Sequence, residues 1–530
     1  MTDAGCPRPS RRAFLASGLA LGALAGCAKS PPPGLPPGRI TGENVALGHR
    51  LRDGGPLPAG PTRRAGVVIV GAGVAGLTAA WRLRDAGVAV ELLELGDTPG
   101  GTARGGLGLN GPYPLGAHYL PVPNPESAVT RRFLEVIGLL QSHGGALRAE
   151  ERHLVFDPED RLFHRGRWDD GLYLRAGAGS ADLADLKRFE GETARLRAAR
   201  GADGRLAFAL PTELSSRDPA YVRLDGLTMS AWLRAEGYRS ERLRWAIDYA
   251  CRDDYGAGVD QVSAWAGLHY FAGRRGLETP ETLGTHYFTW PEGNAWLVAR
   301  LLELAGRPPL TTTALVASIE QGPRPILGVL AGGGFERLDC DAVILATPSY
   351  VTGRLLGRRP FAVQAPWLVV NLALHKEPLG ATDAWNNVAV DSTSVGYVDA
   401  THQRLAAAGP PHWTWYEPLP AAERAWLLQA DYETLVSRAL TDLRRMHPDI
   451  DACVARADVW RWGHGTVIPA PGTQFGEERR AFQSGLSPRV ALAHTDLGGL
   501  PFFEEAQHQG VLAAERVCDA LGVQLGSRWG

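Results

Sequence analysis

The stretch that decides the fold is Val67-Val68-Ile69-Val70-Gly71-Ala72-Gly73-Val74-Ala75-Gly76. Its four apolar residues are typical of a buried strand of a parallel sheet, and Leu77–Asp85 predicts the helix that follows. Each glycine has a physical task. Gly71 makes the tight turn, Gly73 lets a pyrophosphate approach the backbone, and Gly76 lets the helix pack against the strand. The stretch therefore predicts the first βα turn of a dinucleotide-binding unit.

The residues that follow strengthen this interpretation. Val88–Glu94 predicts the second strand, and it ends in an acid, Glu94, 18 residues after Gly76. An acid at this distance accepts a hydrogen bond from a ribose hydroxyl in dinucleotide-binding folds. A second glycine pair, Gly100-Gly101, comes six residues later. We expect a Rossmann-like α/β domain.

The second glycine pair resembles an element of the flavoproteins with two dinucleotide-binding domains. These form the superfamily of amine oxidases, phytoene desaturases and protoporphyrinogen oxidases. In that superfamily an arginine commonly follows the glycine pair, whereas here Thr102 follows it and Arg104 comes two residues later. The resemblance implies FAD as the cofactor, with Arg104 as a candidate phosphate contact.

Further patches resemble the same superfamily in the same order along the chain. Gly116–Tyr119 is similar to the loop over the flavin ring, and Thr289–Asn294 to a turn before a helix at Ala295–Leu304. Val490–Asp496 is similar to the last buried strand and Glu505–Leu521 to the closing helix, whose N-terminus points at the flavin. The cofactor-binding residues that the motif and the resemblance imply are Gly71, Gly73, Ala75, Gly76, Glu94, Gly100, Gly101, Arg104, Val316, Asp496 and Gly510.

The order of these patches implies a discontinuous organisation. We expect the FAD-binding domain to comprise residues 65–125, 276–350 and 461–530. Residues 126–275 are mostly helical in pattern, with a hairpin near Val155–Phe163, and residues 351–460 begin with a strand. Together they should form an α+β substrate domain that covers the flavin.

The resemblance also implies candidate catalytic residues. In amine oxidases of the superfamily two aromatic side chains flank the substrate amine, and Phe502 and Trp462 occupy the corresponding segments. His464 lies where some relatives attach flavin covalently. His118 and Tyr119 belong to the loop over the flavin, where His118 would be either an acid or base or a structural residue.

One expected lysine is missing. Relatives often keep a lysine on the strand before a Lys-Glu-Pro turn. Here Lys376-Glu377-Pro378 is present, but the strand position is Val370 or Asn371. This substitution makes molecular oxygen a poorer electron acceptor than in those oxidases and favours a quinone.

Two further groups leave alternatives open. Asp253 and Asp254 are adjacent carboxylates at a predicted helix end, where they would bind a cationic amine or serve an arginine-paired structural motif. Trp265, His269 and Tyr270 recur at helical spacing, which is typical of a core but also of an apolar cavity.

The N-terminus carries two targeting motifs. Paired Arg11 and Arg12 precede the apolar run Phe14–Ala25, which is shorter than the roughly 20 residues that a membrane span needs. The pair is typical of a twin-arginine signal, and Leu24-Ala25-Gly26-Cys27 resembles a lipobox. We therefore expect a signal at 1–27, lipidation of Cys27, and a chain exported and tethered to a membrane. Residues 28–64, rich in Pro and Gly, should form a linker without regular structure.

Composition excludes other classes of protein. The 530 residues carry a net charge of −2 and are 45% hydrophobic, which excludes a disordered chain and argues against a nucleic-acid binder. Six scattered cysteines lack any C-x-x-C spacing and give no support to a metal site.

Three functional hypotheses follow. The first is an exported FAD-dependent oxidoreductase that takes hydride from an amine or another small molecule, with oxygen or a quinone as acceptor. The second is a desaturase of an apolar, membrane-derived substrate that uses a quinone. The third is a flavin-bound scaffold without turnover.

Overall fold

A computed structural model describes residues 34–143, 146–276, 286–382, 384–403 and 409–529. The predicted signal and Cys27 lie outside them. The described strands are β1 (Gly38–Gly42), β2 (Thr62–Val70), β3 (Val90–Leu93), β4 (Gly105–Gly108), β5 (Gly111–Pro114), β6 (Tyr119–Pro121), β7 (Leu140–His143), β8 (Ala146–Ala149), β9 (Asp160–His164), β10 (Arg167–Asp170), β11 (Tyr287–Thr289), β12 (Leu310–Thr311), β13 (Leu315–Glu320), β14 (Ile326–Ala331), β15 (Gly334–Leu345), β16 (Val363–Leu374), β17 (Asn386–Ala389), β18 (Tyr397–Asp399), β19 (His412–Pro418), β20 (Val454–Ile468) and β21 (Val490–Leu492).

The described α-helices fall between these strands. They span Val45–Asp53, Val74–Asp85, Ala128–Val136, Ser180–Arg197, Pro219–Val222, Met229–Ala235, Glu241–Tyr255, Ala264–Ala272, Ala295–Leu304, Ser349–Leu356, Arg424–Gln429, Tyr432–Met446, Glu477–Gln483, Thr495–Gly498 and Phe503–Leu521. Within the described ranges no helix is long and apolar enough to cross a bilayer.

A seven-stranded sheet forms the Rossmann-like part. Its order is β12-β3-β2-β15-β14-β13, with β21 paired to β15, and β2 is parallel to β3 and β15. The predicted strand at Val67–Val70 is the central, fully buried end of β2. The α/β fold class with a Rossmann-like domain is confirmed.

Two helices pack against each other on this sheet. We call Val74–Asp85 the first Rossmann helix and Phe503–Leu521 the closing helix. Both are buried along most of their length, and a buried ion pair between Arg82 and Glu515 at 3.0 Å joins them. Because the first Rossmann helix is covered on two sides, its first eight residues, Val74–Trp81, include no charged side chain.

An eight-stranded mixed sheet forms the second part. Its order is β1-β20-β16-β19-β18-β17-β9-β10. One face packs on the helix Tyr432–Met446, and the other packs on a cluster that contains the helices between residues 229 and 272. β20 crosses the boundary predicted at 460/461 as one continuous strand.

Two predictions for this part need correction. The linker is wrong for residues 38–53, because β1 pairs in parallel with β20 and Asn44 caps the helix Val45–Asp53. Only the tertiary pairing stabilises so short a strand. The hairpin lies later than expected, at β9–β10, because Arg165 and Gly166 adopt the positive φ values that its turn requires.

Candidate active site

Gly71 and Gly76 have no room for a side chain. Gly71 adopts φ +101°, and a Cβ built there would lie 2.4 Å from the Ala346 carbonyl oxygen. A Cβ on Gly76 would lie 2.0 Å from the Gly71 carbonyl oxygen. Both contacts are with backbone, which cannot move aside. These two glycines are therefore required for the first Rossmann helix to pack against the sheet.

Gly73 differs from its neighbours, because the space around it is open. The nearest atom to a Cβ built on Gly73 would be the Gly101 Cα at 3.8 Å. Gly73 begins the first Rossmann helix and gives it no side-chain cap, so the first N–H groups point out of the helix end. Gly100 faces it and donates its N–H to the Ala72 carbonyl oxygen at 2.8 Å. The two glycine elements form one cradle, which suits an anion.

Glu94 lies at the end of β3 beside this cradle. Its carboxylate accepts the Ala72 N–H at 2.8 Å and the Gly96 N–H at 2.7 Å. The backbone carbonyl oxygen of Glu94 accepts the N–H of Ala314. This hydrogen bond brings the buried Val316 near the end of β3. A carboxylate oxygen can accept more than one hydrogen bond, so Glu94 remains able to hold a hydroxyl group.

Arg104 places a positive charge next to the cradle. The side chain is buried, its Nε donates to the Gly101 carbonyl oxygen at 3.1 Å, and its guanidinium lies over the rings of Trp460 and Trp462 at 5.0 and 5.3 Å. Asp97 is 3.7 Å away and mostly exposed. The Arg104 guanidinium is thus held in one orientation with several N–H donors, an arrangement that suits a phosphate group.

Asp496 is a buried carboxylate at the start of the helix Thr495–Gly498. It accepts the Ser349 N–H at 2.7 Å and the Gln364 amide at 2.8 Å, and His494 lies 3.0 Å away. Burial raises the pKa of Asp496, but His494 and Ser349 outweigh burial and lower it to about 2. The group is ionised at every physiological pH.

The expected position of Gly510, at the flavin-facing N-terminus of the closing helix, is wrong. It is the eighth residue of the closing helix and so does not lie at the helix N-terminus. A Cβ on Gly510 would lie 2.4 Å from the Ala75 carbonyl oxygen. The structure therefore gives both Gly510 and Ala75 a part in the crossing of the closing helix over the first Rossmann helix.

The residues present fit a bound dinucleotide. In addition to the open cradle, the uncapped helix and Arg104, the Ser349 Oγ and the Trp460 Nε1 are among the buried polar atoms that have no hydrogen-bond partner within the described ranges. Ser349 adjoins Asp496, and Trp460 adjoins Arg104. Buried polar atoms are rarely left unpaired, so a polar ligand between these groups would satisfy them.

The loop Gly116–Tyr119 joins this cradle to a second pocket. The Ala117 N–H donates to the Thr102 carbonyl oxygen at 2.9 Å, one residue after the second glycine pair. On the other side, the Gly116 carbonyl oxygen accepts the Tyr416 hydroxyl at 3.0 Å. The loop thus contacts the dinucleotide cradle on one edge and the pocket on the other.

The pocket combines aromatic rings with carboxyl groups. It is lined by His118, Tyr119, Glu159, Asp160, Leu172, Asp253, Tyr270, Tyr287, Trp385, Asn386, Val395, Tyr397, Val398 and Tyr416. Aromatic faces and carboxylates both attract a cation. The lining therefore suits a small, positively charged molecule with an apolar body.

The two adjacent acids of the helix Glu241–Tyr255 have different environments. Asp254 accepts hydrogen bonds from the buried Arg274 at 2.9 Å and from the Tyr119 hydroxyl at 3.0 Å. Asp253 instead lines the pocket. Burial and the neighbouring Asp254 carboxylate raise the pKa of Asp253. Asp254 therefore belongs to an arginine-paired structural motif, whereas Asp253 remains a candidate ligand for a cationic amine.

The other two acids of the pocket also hold protons more tightly than usual. Burial raises the pKa of Glu159 to about 8, with a further contribution from Asp160. Burial raises the pKa of Asp160 to about 6, against a hydrogen bond from the Asn386 amide at 2.8 Å. The carboxyl groups of Glu159 and Asp160 therefore titrate near neutral pH. A bound cation would favour their ionised forms.

His118 is neutral at pH 7. Burial lowers the pKa of its imidazole to about 4, and the ring stacks on Tyr416 with centroids 4.8 Å apart. Its Nδ1 lies 3.3 Å from the Gly116 carbonyl oxygen. A neutral imidazole has no imidazolium proton to give, which argues against the acid role, and the base and structural roles of His118 stay predictions.

The three other predicted catalytic residues lie outside the lining of this pocket. The Trp462 Nε1–H donates to the Leu115 carbonyl oxygen at 2.6 Å, and this hydrogen bond supports the start of the loop Gly116–Tyr119. Phe502 packs on the Arg274 guanidinium at 5.2 Å. His464 stacks on Tyr350 at 4.1 Å, and burial lowers its pKa to about 4. Their proposed roles stay predictions.

The strand that would carry the missing lysine is β16. Val370 packs in the cluster that faces the helix Tyr432–Met446, on the side of the sheet away from the pocket. Asn371 is buried and accepts the Thr414 hydroxyl at 2.8 Å.

Several pocket residues escaped the sequence analysis. Trp385, Tyr416, Glu159 and Asp160 come from segments far apart in the chain and belong to no motif. The aromatic residues that alternate in β19 are Trp413 and Trp415, which pack on the opposite face of the sheet from Tyr416 and so gave no signal for it. Of the predicted aromatic group, Trp265 and His269 are fully buried, and Tyr270 reaches the pocket.

Comparisons with known proteins agree with this arrangement. Residues 69–135 match the family model described as an NAD(P)-binding Rossmann-like domain. A hydroxyneurosporene desaturase of Rhodobacter capsulatus is 36% identical over 137 residues, which are 23% of this chain and 25% of the desaturase. The match thus spans about a quarter of the length of that relative.

Solved structures resemble the chain over most of its length. A putrescine oxidase bound to putrescine shares 16% identity with a TM-score of 0.62, covering 87% of this chain and 100% of the oxidase. Cyclohexylamine oxidase from Brevibacterium oxydans IH-35A shares 17% identity with a TM-score of 0.60 at the same coverage. The chain therefore has a two-part α/β fold, with a Rossmann-like domain and a second, mixed-sheet part. This fold is shared with these two amine oxidases.

Proposed function

We propose that the protein is an FAD-dependent oxidoreductase that dehydrogenates a small cationic amine. One observation carries the proposal: the loop Gly116–Tyr119 connects a glycine cradle suited to a dinucleotide with a pocket of aromatic rings and carboxyl groups. A cofactor that extends from the cradle along this loop would reach the pocket. The likeness of the fold to putrescine and cyclohexylamine oxidases supports the same class of substrate.

The pocket residues would bind the amine and take its proton. Asp253 would pair with the ammonium group, and the rings of Tyr119 and Trp385 would pack on the carbon chain and exclude water. An ammonium must lose a proton before the neighbouring carbon can give up a hydride. The bound cation would favour the ionised forms of Asp253 and Glu159, and these carboxylates, with their raised pKa values, would then accept such a proton.

The remaining groups would hold the cofactor. Bound FAD supplies the acceptor for the hydride, while the protein orients the carbon–hydrogen bond. Gly73, Gly100 and Gly101 would approach the pyrophosphate, Arg104 would pair with its charge, and Glu94 would accept from a ribose hydroxyl.

An absorption spectrum of the purified protein tests this proposal. We expect a flavin band that moves to the supernatant after acid precipitation and bleaches under argon when a diamine or monoamine is added. A band that stays in the pellet would assign His464 a covalent link. Protein without flavin after reconstitution with FAD would contradict the proposal.

A desaturase that passes electrons to a quinone is the second candidate. The identity with hydroxyneurosporene desaturase and the absence of a lysine at Val370 and Asn371 favour it. The carboxyl groups of the pocket weigh against an apolar substrate, because they would be buried without a partner. Reduction of the flavin by an apolar polyene but by none of the amines would favour the desaturase.

We also propose that the chain is exported by the twin-arginine route and anchored through Cys27. The support is the Arg11-Arg12 pair followed by the lipobox-like Leu24–Cys27. Cells fed a radiolabelled fatty acid should label the wild-type protein, and Cys27→Ser should abolish the label. Cys6→Ser is the matched control. Equal labelling of wild type and Cys27→Ser would exclude the anchor.

A further inference from the structure

Residues 38–53 form a segment that precedes the Rossmann unit yet lies against it. We call this segment the strap. Its strand β1 pairs with β20 from Gly38 opposite Ala457 to Gly42 opposite Arg461. Its helix, Val45–Asp53, then turns towards the seven-stranded sheet. The strap thus joins the edge of the eight-stranded sheet to the dinucleotide-binding part.

The strap contacts the surroundings of the predicted cofactor residues. Its helix approaches Leu95, the residue after Glu94, so closely that a Cβ on Gly48 would lie 3.3 Å from the Leu95 side chain. Leu51 packs on the cluster that contains Val316. The Arg52 carbonyl oxygen accepts from Arg354, on the helix that begins at Ser349.

Glu43 is an acidic residue of the strap that hydrogen-bonds to β20. Its Oε2 accepts the Gly463 N–H at 3.1 Å, and the side chain is partly buried. Burial raises the pKa of Glu43 to about 7, and Arg104 is the largest opposing influence, with Glu94 acting in the same direction as burial. The carboxyl group therefore lies within the electrostatic field of both the phosphate-binding candidate and the ribose-binding candidate.

We propose that the strap closes over the dinucleotide cleft and slows release of the cofactor, with Glu43 as the positioning residue that holds it down through the Gly463 N–H. The inference rests on the proposed function, since it requires a bound flavin. The strap contacts Leu95 beside Glu94, the cluster that contains Val316, and the helix that begins at Ser349. A segment that meets this group of residues spans the mouth of the cleft.

Gly38 offers a way to detach the strap without touching the cleft. A Cβ on Gly38 would lie 1.7 Å from the Ala457 carbonyl oxygen, so Gly38→Val breaks the pairing of β1 with β20. We expect FAD to leave Gly38→Val at least tenfold faster than wild type. The release is measured as the rise of flavin fluorescence after dilution of the holoprotein. A protease should also cleave the strap sooner.

The role of Glu43 is tested by two substitutions at Glu43 and a control at Asp53. Glu43→Ala should speed FAD release by about tenfold, and Glu43→Gln should restore most of the retention, because its amide oxygen still accepts the Gly463 N–H. Asp53→Ala is the matched control, since Asp53 is an exposed acid at the far end of the strap. It should release FAD at the wild-type rate.

The outcomes separate the two proposals. Wild-type release rates in both Gly38→Val and Glu43→Ala, with a lower melting temperature, would show that the strap only stabilises the fold and would overturn this inference alone. A wild-type protein that binds no FAD would overturn the proposed function and this inference together. Should Gly38→Val fail to fold, the three variants at Glu43 and Asp53 decide the question.

Discussion

The glycine cradle and the acidic pocket are built in opposite ways. The cradle consists of backbone from a single stretch, residues 71–101, in which missing side chains make the room. The pocket consists of side chains from nine segments, which begin at residues 118, 159, 172, 253, 270, 287, 385, 395 and 416. The difference teaches that a cofactor site can be encoded locally, whereas the substrate site depends on how distant segments assemble. Substitutions in the two regions should therefore fail in different ways.

Gly76→Val should have the largest effect. The added Cβ would meet the Gly71 carbonyl oxygen at 2.0 Å, and backbone cannot move aside. Overpacking of this kind costs about 3 kcal/mol or more. We expect loss of both folding and flavin, measured by the melting temperature and the absorption spectrum. A folded, yellow Gly76→Val would contradict the geometry of the cradle.

Asp254→Asn should destabilise the protein more than Asp253→Asn. Removal of the Asp254 charge leaves Arg274 buried and unpaired, which costs about 3–5 kcal/mol. Among the described residues Asp253 has no arginine partner of this kind, and it lines the pocket. Urea unfolding of the two variants measures the difference. Equal midpoints would show that the two acids are not divided between structure and binding.

Gly73→Val should remove FAD binding without disturbing the fold. The nearest atom to its Cβ would be 3.8 Å away, so the apoprotein should fold with a melting temperature close to that of wild type. The side chain would enter the cradle and block a pyrophosphate. We expect a colourless protein whose affinity for FAD is at least about 100-fold lower, equivalent to about 2.7 kcal/mol. Retention of the flavin would exclude Gly73 from the binding site.

Amine binding should depend on pH through the pocket carboxyls. Because the pKa of Glu159 is raised to about 8 and that of Asp160 to about 6, both lose protons as pH rises from about 5 to 9. The ionised forms attract a cation, so the KM for an amine should fall over this range. Asp253→Asn should raise KM about tenfold at pH 8, the loss of one charged hydrogen bond. A KM independent of pH would contradict the assignment.

Glu94→Gln should have the smallest effect. Glutamine keeps one oxygen acceptor for the Ala72 and Gly96 N–H groups and turns the other into a donor, which costs about 1 kcal/mol. We expect FAD affinity to fall several-fold, as measured by fluorescence titration of the apoprotein. Glu91→Gln, on the exposed side of β3, is a suitable control. Unchanged affinity in Glu94→Gln would remove Glu94 from the site.

The sequence predicted the cradle well and the pocket poorly. The residues of the cradle are close along the chain, and their spacing reflects fixed distances in a βα turn. Asp253 was noticed only as one of two similar acids, and nothing in the sequence distinguished it from Asp254. That distinction depends on Arg274, 20 residues away, which reaches one carboxylate and not the other. The strap was missed because β1 has no apolar pattern and is stabilised by β20 alone.

The sequence by itself determined the α/β fold class and the position of the glycine cradle, because both depend on local backbone sterics and on periodic apolar runs. Only the tertiary structure decided which carboxyls face the pocket and that residues 38–53 pair with β20 and pack against the dinucleotide-binding part. The physical reason is that such contacts join residues hundreds of positions apart. Their energies arise from burial and pairing in the folded state, and they leave no regular pattern in the chain.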